Sequence, residues 1–401
     1  MGHTDAVAHD PSAPSGHLPG FAREEPICIR QTETREENFQ MHRRDMLKAG
    51  LAAGTIGFVP RLASAEVNFS PVPKGWRTFS LTTRVEPTFA SKAWIPLPTF
   101  TADDWQRPGA TTWTGNAKLA EKVRDPKYGA EMLQVEWAAD QQNSMIEVTT
   151  QVQAQNRAVR IGQSSVAPLG DEERKFNLMA TALLPVDGLV KETAEGIVRG
   201  KTDDVDKARA LYEWVVDNTF RNATTKGCGI GDVSWMIKTG NLNGKCADLN
   251  ALYVAMARSV GVPARDVYGI RVVPSEFGFK ALGAGSTNVT KAQHCRAEVW
   301  LSSSGWTPID PADVRKVVLE EPPTNLALTD LKVAAARKTL FGAWEGNWLA
   351  FNTAHDVKLP GSDEAPLPFL MYPQAADKQG LIDSLDPDAF KYTITAKELT
   401  A

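Results

Sequence analysis

Residues 240–250 read Gly-Asn-Leu-Asn-Gly-Lys-Cys-Ala-Asp-Leu-Asn, and the fold turns on how this stretch is read. One reading is a phosphate cradle. A Walker loop needs four residues between its glycines, then Lys and a Ser or Thr hydroxyl for magnesium. Here three residues separate Gly240 from Gly244, and the thiol of Cys246 stands where the hydroxyl belongs. A thiol is a poor ligand for Mg²⁺, which prefers hard oxygen donors. The other reading is the start of a helix. Leu249, Leu252, Tyr253, Met256 and Val260 fall at the spacing of one buried helical face, which Gly261 and Pro263 end. Cys246 then stands at the helix N-terminus. Unpaired amides and the positive end of the helix dipole favour its thiolate there, and Lys245 adds charge.

A nucleophilic thiolate needs a histidine to manage the proton and a third group to orient that histidine. The amino-terminal segment shortens the search. Residues 1–40 are polar and rich in Pro, Gly and charge, and are expected to be disordered. Arg43-Arg44 precede an apolar run from Met46 to Val59 that closes with Ala63-Ser-Ala65. This resembles a twin-arginine export signal spanning 41–65, too short to cross a membrane and cleaved after Ala65. The expected location is periplasmic or secreted. Cleavage removes His3, His9, His17, His42 and Cys28, leaving His294 and His355 with Cys228, Cys246 and Cys295.

Gln293–Leu301 alternates as a strand, with Cys295, Ala297, Val299 and Leu301 on an apolar face and His294, Arg296, Glu298 and Trp300 opposite. A turn at 302–305 leads to Trp306-Thr-Pro-Ile-Asp-Pro311, which suits the partner strand of a hairpin and puts Asp310 beside His294. The order is Cys, His, Asp.

Gly-Lys-Cys opening a helix, a His-x-x-x-Glu strand and Gly-Trp-x-Pro-x-Asp-Pro together resemble the transglutaminase-like core, a branch of the papain-like thiol enzymes. The resemblance covers about residues 200–320. It implies Cys246 as nucleophile, His294 as general base and acid, and Asp310 as orienting carboxylate. Arg296 departs from the pattern, since many relatives carry an aromatic two residues after the histidine. For the oxyanion, the Cys246 amide is expected to donate, with Asn243, Trp235 and Gln293 as further candidates.

Quieter readings stand beside these. Asp310 also suits a turn before Pro311. His355 is the rival base, and Cys295 reads as a core thiol. The odd cysteine count leaves a Cys228–Cys295 disulfide open. Phe341, Trp344, Trp348 and Phe351 recur at helical spacing, which reads first as core and second as an acyl-binding wall built from Trp344 or Trp348.

The rest of the chain frames this core. At 401 residues and 42% hydrophobic it has room for two or three domains. The expected class is α+β: an all-β sandwich over 66–163, with strands at 76–85, 132–137 and 145–152, then a catalytic domain over 164–320 in which residues 203–218 form a helix. A C-terminal extension, 321–401, is expected to pack on the catalytic domain. A formal charge of −4, with both signs mixed along the chain, offers no basic stripe for nucleic acid and no polybasic membrane patch. No metal is expected, because the mature chain has no Cys-x-x-Cys or His-x-x-x-His pair, and no cofactor is implied. The expected function is a cysteine hydrolase acting on a protein or peptide substrate through an acyl-thioester. The alternatives are protein-glutamine transamidation and a catalytically silent scaffold of the cell envelope.

Overall fold

A computed structural model describes residues 67–400 apart from 88–90, 163–165, 387 and 389. The expected leader (1–40) and export signal (41–65) lie outside the described residues. Among those described, no helix is long and apolar enough to cross a membrane.

The first region is all β. Strict alternation along Arg77–Val85 (β1) turns Phe79, Leu81, Thr83 and Val85 inward. Five more strands follow: β2 (Lys92–Pro96), β3 (Gln106–Gly115), β4 (Leu119–Arg124), β5 (Glu131–Glu136) and β6 (Ile146–Ala154). They build two antiparallel sheets whose facing side chains share one core: Val85, Ile146 and Val148 from one, Ala93, Ile95, Leu133 and Val135 from the other. The expected strands fall on β1, β5 and β6. β3 is not legible from its residues, because Pro108 and Gly109 interrupt it and its pairing with β6 slips between Pro108 and Thr111.

The second region mixes helices and strands. Helix α1 (Asp204–Asn218) starts where expected, with the Asp203 carboxylate accepting from the amides of Val205 (2.8 Å) and Asp206 (3.3 Å). Its stripe of Ala208, Leu211, Tyr212 and Val215 is fully buried. Helix α2 (Cys246–Ser259) differs from expectation in one respect: the sequence shows one apolar face, yet every residue from Cys246 to Arg258 is buried. Its polar members carry their own partners. Asn250 Nδ2 donates to the Cys295 carbonyl at 2.8 Å and Arg258 Nε to the Ala264 carbonyl at 2.8 Å, so helices and sheet can close around it. Next come β7 (Ala264–Arg271), β8 (Gln293–Leu301), β9 (Gly305–Ile309) and α3 (Pro311–Glu320).

The C-terminal segment enters both regions. Strand β10 (Trp348–Asn352) completes an antiparallel sheet in the order β9-β8-β7-β10. Strands β11 (Gln374–Asp377) and β12 (Gly380–Ile382) then extend one N-terminal sheet beside β2, and β13 (Tyr392–Leu399) extends the other beside β1. The expected helix-like stripe is instead strand: Trp344 ends a two-residue strand, while Trp348 and Phe351 lie in β10. All of them, with Phe341, are buried. A short apolar run buried on both faces has no period that separates helix from strand.

Candidate active site

The start of α2 is fixed by one carboxylate. Asp248, three residues past the N-cap Lys245, accepts from the Lys245 amide at 2.9 Å and also from the amides of Ile230 (3.1 Å) and Gly231 (2.9 Å). This ties the Lys226-Gly-Cys-Gly-Ile-Gly231 loop to the helix. Gly229 is required at that contact: its φ is +86°, and a Cβ would come within 1.8 Å of the Asp248 carboxylate. The Ala247 amide donates to the Cys228 carbonyl at 2.9 Å, so Cys228 lies beside Cys246.

The histidine is the second residue of strand β8. Its backbone carbonyl accepts from Trp348 Nε1 at 2.9 Å, across the position of Gly269, where a Cβ would meet the Trp348 ring at 2.5 Å. His294 Nε2 donates to Asp310 Oδ2 at 2.8 Å, which leaves Nδ1 as the ring atom available to a sulfur. The hairpin forms as expected, with Trp300 opposite Trp306 and Ala297 opposite Ile309. Continued one step, that register sets Asp310 opposite Arg296, so its carboxylate reaches His294 diagonally. Asp310 is also the N-cap of α3, its Oδ1 accepting from the Asp313 amide at 3.0 Å. One side chain thus caps a helix and hydrogen-bonds the histidine ring.

A buried charge network surrounds the pair. Arg271 clamps Asp313 with contacts of 2.6 and 2.8 Å, and Asp313 lies 3.4 Å from His294 Nε2. Burial and the Arg271 charge push the His294 pKa down, but the Asp313 and Asp310 carboxylates outweigh them and hold it above the ordinary value. Burial also acts to raise the Cys246 thiol. Hydrogen bonds from the Cys228 and Cys295 thiols and from His294 overcome it and hold Cys246 well below its usual range. Cys228 is pushed up by its bond to Cys246 and by burial, Cys295 chiefly by burial. Of the three described thiols, Cys246 is the one shifted toward the anion.

His294, Asp310 and Asp313 bring one ligand atom each within 4.8 Å of one another. Arg271 already occupies both oxygens of Asp313, and His294 Nε2 is spent on Asp310. The guanidinium supplies the positive charge a metal ion would bring.

Cys246 and His294 line the same cleft, of about 580 Å³, together with Cys228 and Gln293. Gln293 is nine-tenths buried, and its side-chain nitrogen makes no hydrogen bond among the described residues. The other expected oxyanion donors lie elsewhere: Trp235 is 48% exposed and, like Asn243, does not line the cleft. Arg296 is not in the cleft wall either. It is buried behind the histidine with its guanidinium 4.6 Å from the Trp348 ring centre, and burial together with the Arg271 charge lowers its pKa to about 10.

Trp344 and Trp348 pack with Trp105 in a separate core and do not form the wall. Tyr372, Leu385 and Tyr392 of the C-terminal segment do, a contribution the sequence did not signal because those residues lie over a hundred positions from Cys246. All three described cysteines are free thiols, so Cys228 and Cys295 meet Cys246 rather than each other.

A family model for the core of the transglutaminase-like superfamily matches residues 191–311. A Haemophilus influenzae protein described as uncharacterized is 36% identical over 321 residues, 76% of this chain and 86% of its own. Among solved structures, one proposed to be a cysteine protease, from Cytophaga hutchinsonii, shares 15% identity at a TM-score of 0.46, over 81% of this chain and 99% of that one. The periplasmic domain of TgpA from Pseudomonas aeruginosa shares 16% identity at a TM-score of 0.32, over 60% and 88% of the two chains.

Proposed function

Because the chain belongs to the transglutaminase-like superfamily, we propose that it is a thiol hydrolase that cleaves amide or peptide bonds through an acyl-thioester on Cys246. The observation that carries this reading is the 2.8 Å bond from His294 Nε2 to Asp310, in a histidine that shares its cleft with the thiol of the first residue of α2. The Cys246 thiolate attacks the carbonyl carbon, and the oxyanion is met by the Cys246 amide at the start of α2, with Gln293 as second donor. His294, protonated and held by Asp310, gives its Nδ1 proton to the departing amine. The neutral ring then takes a proton from water as that water attacks the thioester, releasing a carboxylic acid and returning the thiolate with the imidazolium. If a lysine amine replaced the water, the same steps would give transamidation. Nothing in the cleft marks a lysine-binding site: the positions lining it are apolar, polar or basic.

The test is mass spectrometry of a mixed peptide library incubated with and without a primary amine, comparing wild type with Cys246→Ala. Cleaved peptides that depend on Cys246 support hydrolysis. Amine-tagged glutamines would make it a transglutaminase, and an unaltered library would leave a scaffold. We propose further that residues 41–65 direct export and are removed after Ala65. Terminal sequencing of protein recovered from the periplasm or medium reads this directly, with Glu66 expected first.

A further inference from the structure

The cleft wall has a charge opposite to that of the chain. Arg221, Lys226, Lys245, Arg271, Lys291 and Lys316 all line it, and no Asp or Glu does, although the protein carries a formal charge of −4. Their counter-ions do not balance them. Arg271 is matched by Asp313 at 2.6 Å and Lys226 contacts Asp383. Glu320 serves two cations, Arg221 in close contact and Lys316 at 3.8 Å. Lys245 and Lys291 make no ion pair among the described residues. Three carboxylates thus answer six cations around a cavity that opens on the thiol.

Lys316 is the most informative of the six. It projects from α3 with only 18% of its side chain exposed, and burial together with the Arg271 charge pulls its pKa down to about 8. An ammonium held in that position is stabilised by an incoming anion, which would restore the charge balance that burial opposes. Arg221 approaches the same place from the strand Phe220–Arg221, while Lys245 and Lys291 stand at the more open rim.

We propose that the acyl donor is anionic: a peptide carrying a free carboxylate or an acidic side chain close to the bond that is cut, seated on the cleft side of Lys316, whose own counter-ion Glu320 is 3.8 Å away and shared with Arg221, and drawn in past Lys245 and Lys291. This rests on Cys246 being the nucleophile. The cations lie in the cavity of the thiol itself, so the carboxylate would be read in the same cavity as the reacting carbon rather than at a remote exosite. A cleft of about 580 Å³ accommodates a short peptide segment of this kind.

Iodoacetate and iodoacetamide test this without a known substrate, because they differ by a carboxylate against a carboxamide and both react with the thiolate. Labelling of Cys246 is followed by peptide mass mapping of the mature chain at neutral pH. The iodoacetate-to-iodoacetamide rate ratio, divided by that of free cysteine, is expected to exceed about tenfold at low salt and to shrink toward that of a screened site at about 1 M salt. Part of the preference comes from the imidazolium of His294, so the decisive reading is the change made by the lysines. Lys245→Gln with Lys291→Gln, at the rim, should lower the ratio severalfold, and Lys316→Gln should lower it further.

A ratio that none of these variants moves, with Cys246 still reacting fast, overturns the anionic substrate and leaves the thiol enzyme standing. Slow labelling by both reagents removes the nucleophile and this inference with it. In the peptide library, products should carry Asp or Glu beside the cut about tenfold more often than Asn or Gln, and equal use of the two pairs would also overturn the proposal.

Discussion

Among the described residues two buried histidines stand beside an aspartate, and their difference locates the candidate site. His294 and Asp310 meet at 2.8 Å; His355 Nε2 and Asp266 meet at 3.2 Å. Both histidines are almost fully enclosed. The second ring is packed between aromatics, with the Tyr268 hydroxyl 3.4 Å from its Nδ1 and the Tyr128 ring 6.1 Å away. Its Nδ1 is taken by a phenol, and the ring does not line the cleft of Cys246. The first ring turns its remaining nitrogen toward a cleft that holds a thiol at a helix start. A buried histidine beside a carboxylate thus recurs among the described residues, but only His294 makes a hydrogen bond to its carboxylate, whereas His355 Nε2 and both Asp266 oxygens have none. The helix N-terminus, the sulfur and the cavity are what distinguish the pair with chemical potential.

The largest expected effect breaks this contrast if it fails. Measured on the donors the library identifies, Cys246→Ala and His294→Ala should lower kcat/KM by about 10³-fold or more, whereas His355→Gln should stay within about threefold and act on stability alone. Comparable losses from both histidines would erase the distinction. Next, Asp310→Asn should lower kcat by roughly 10²- to 10⁴-fold, because the amide no longer holds the ring as imidazolium. Asn is as good an N-cap as Asp, so the melting temperature should barely move; Asp310→Ala should lose activity and also about 1 kcal/mol of cap energy.

A smaller effect concerns titration. Cys246 should react with iodoacetamide at pH values below the free-thiol range near ~8.5, and at neutral pH about tenfold faster than Cys228 or Cys295, whose thiols are held up. His294→Gln should move that profile toward the free-thiol value. The smallest effect is on acid stability. Arg271 overcomes burial to hold Asp313 well below the carboxylate range, so this pair stabilises the fold above the unfolded value of about 3.9 and loses that contribution as pH falls below it. Asp313→Asn should flatten the acid limb of a denaturation curve measured between about pH 5 and 2.

Much of the candidate site was legible because its signals are local. Cys246 at a helix start, the hairpin around Ser302–Gly305 and Asp310 before Pro311 each follow from a few neighbouring residues. His294 follows from the alternation of its strand. What escaped has physical causes. Asp313 and Arg271 read as ordinary surface charges, and only their mutual clamp explains their burial. The place of Arg296, which departs from the family pattern two residues after His294, was not legible either. In a strand that spacing does keep it on the same face, but the face continues under β10, where Trp348 covers it. The C-terminal strands were invisible for another reason: β11 and β13 gain their stability by pairing with β2 and β1, some 280 to 320 residues earlier, β12 pairs only with β11, and little local pattern foretells such partners.

By itself, the sequence determined the class of fold and the chemical types at its centre, because helix capping, strand alternation and turn chemistry act over a few residues. Tertiary structure alone decided that Arg271 and Asp313 close around the histidine, that Asn243 and Trp235 lie away from the cleft, and which walls close it. Those outcomes depend on distance and burial between residues far apart in the chain, where electrostatic interaction is strong only once water is excluded.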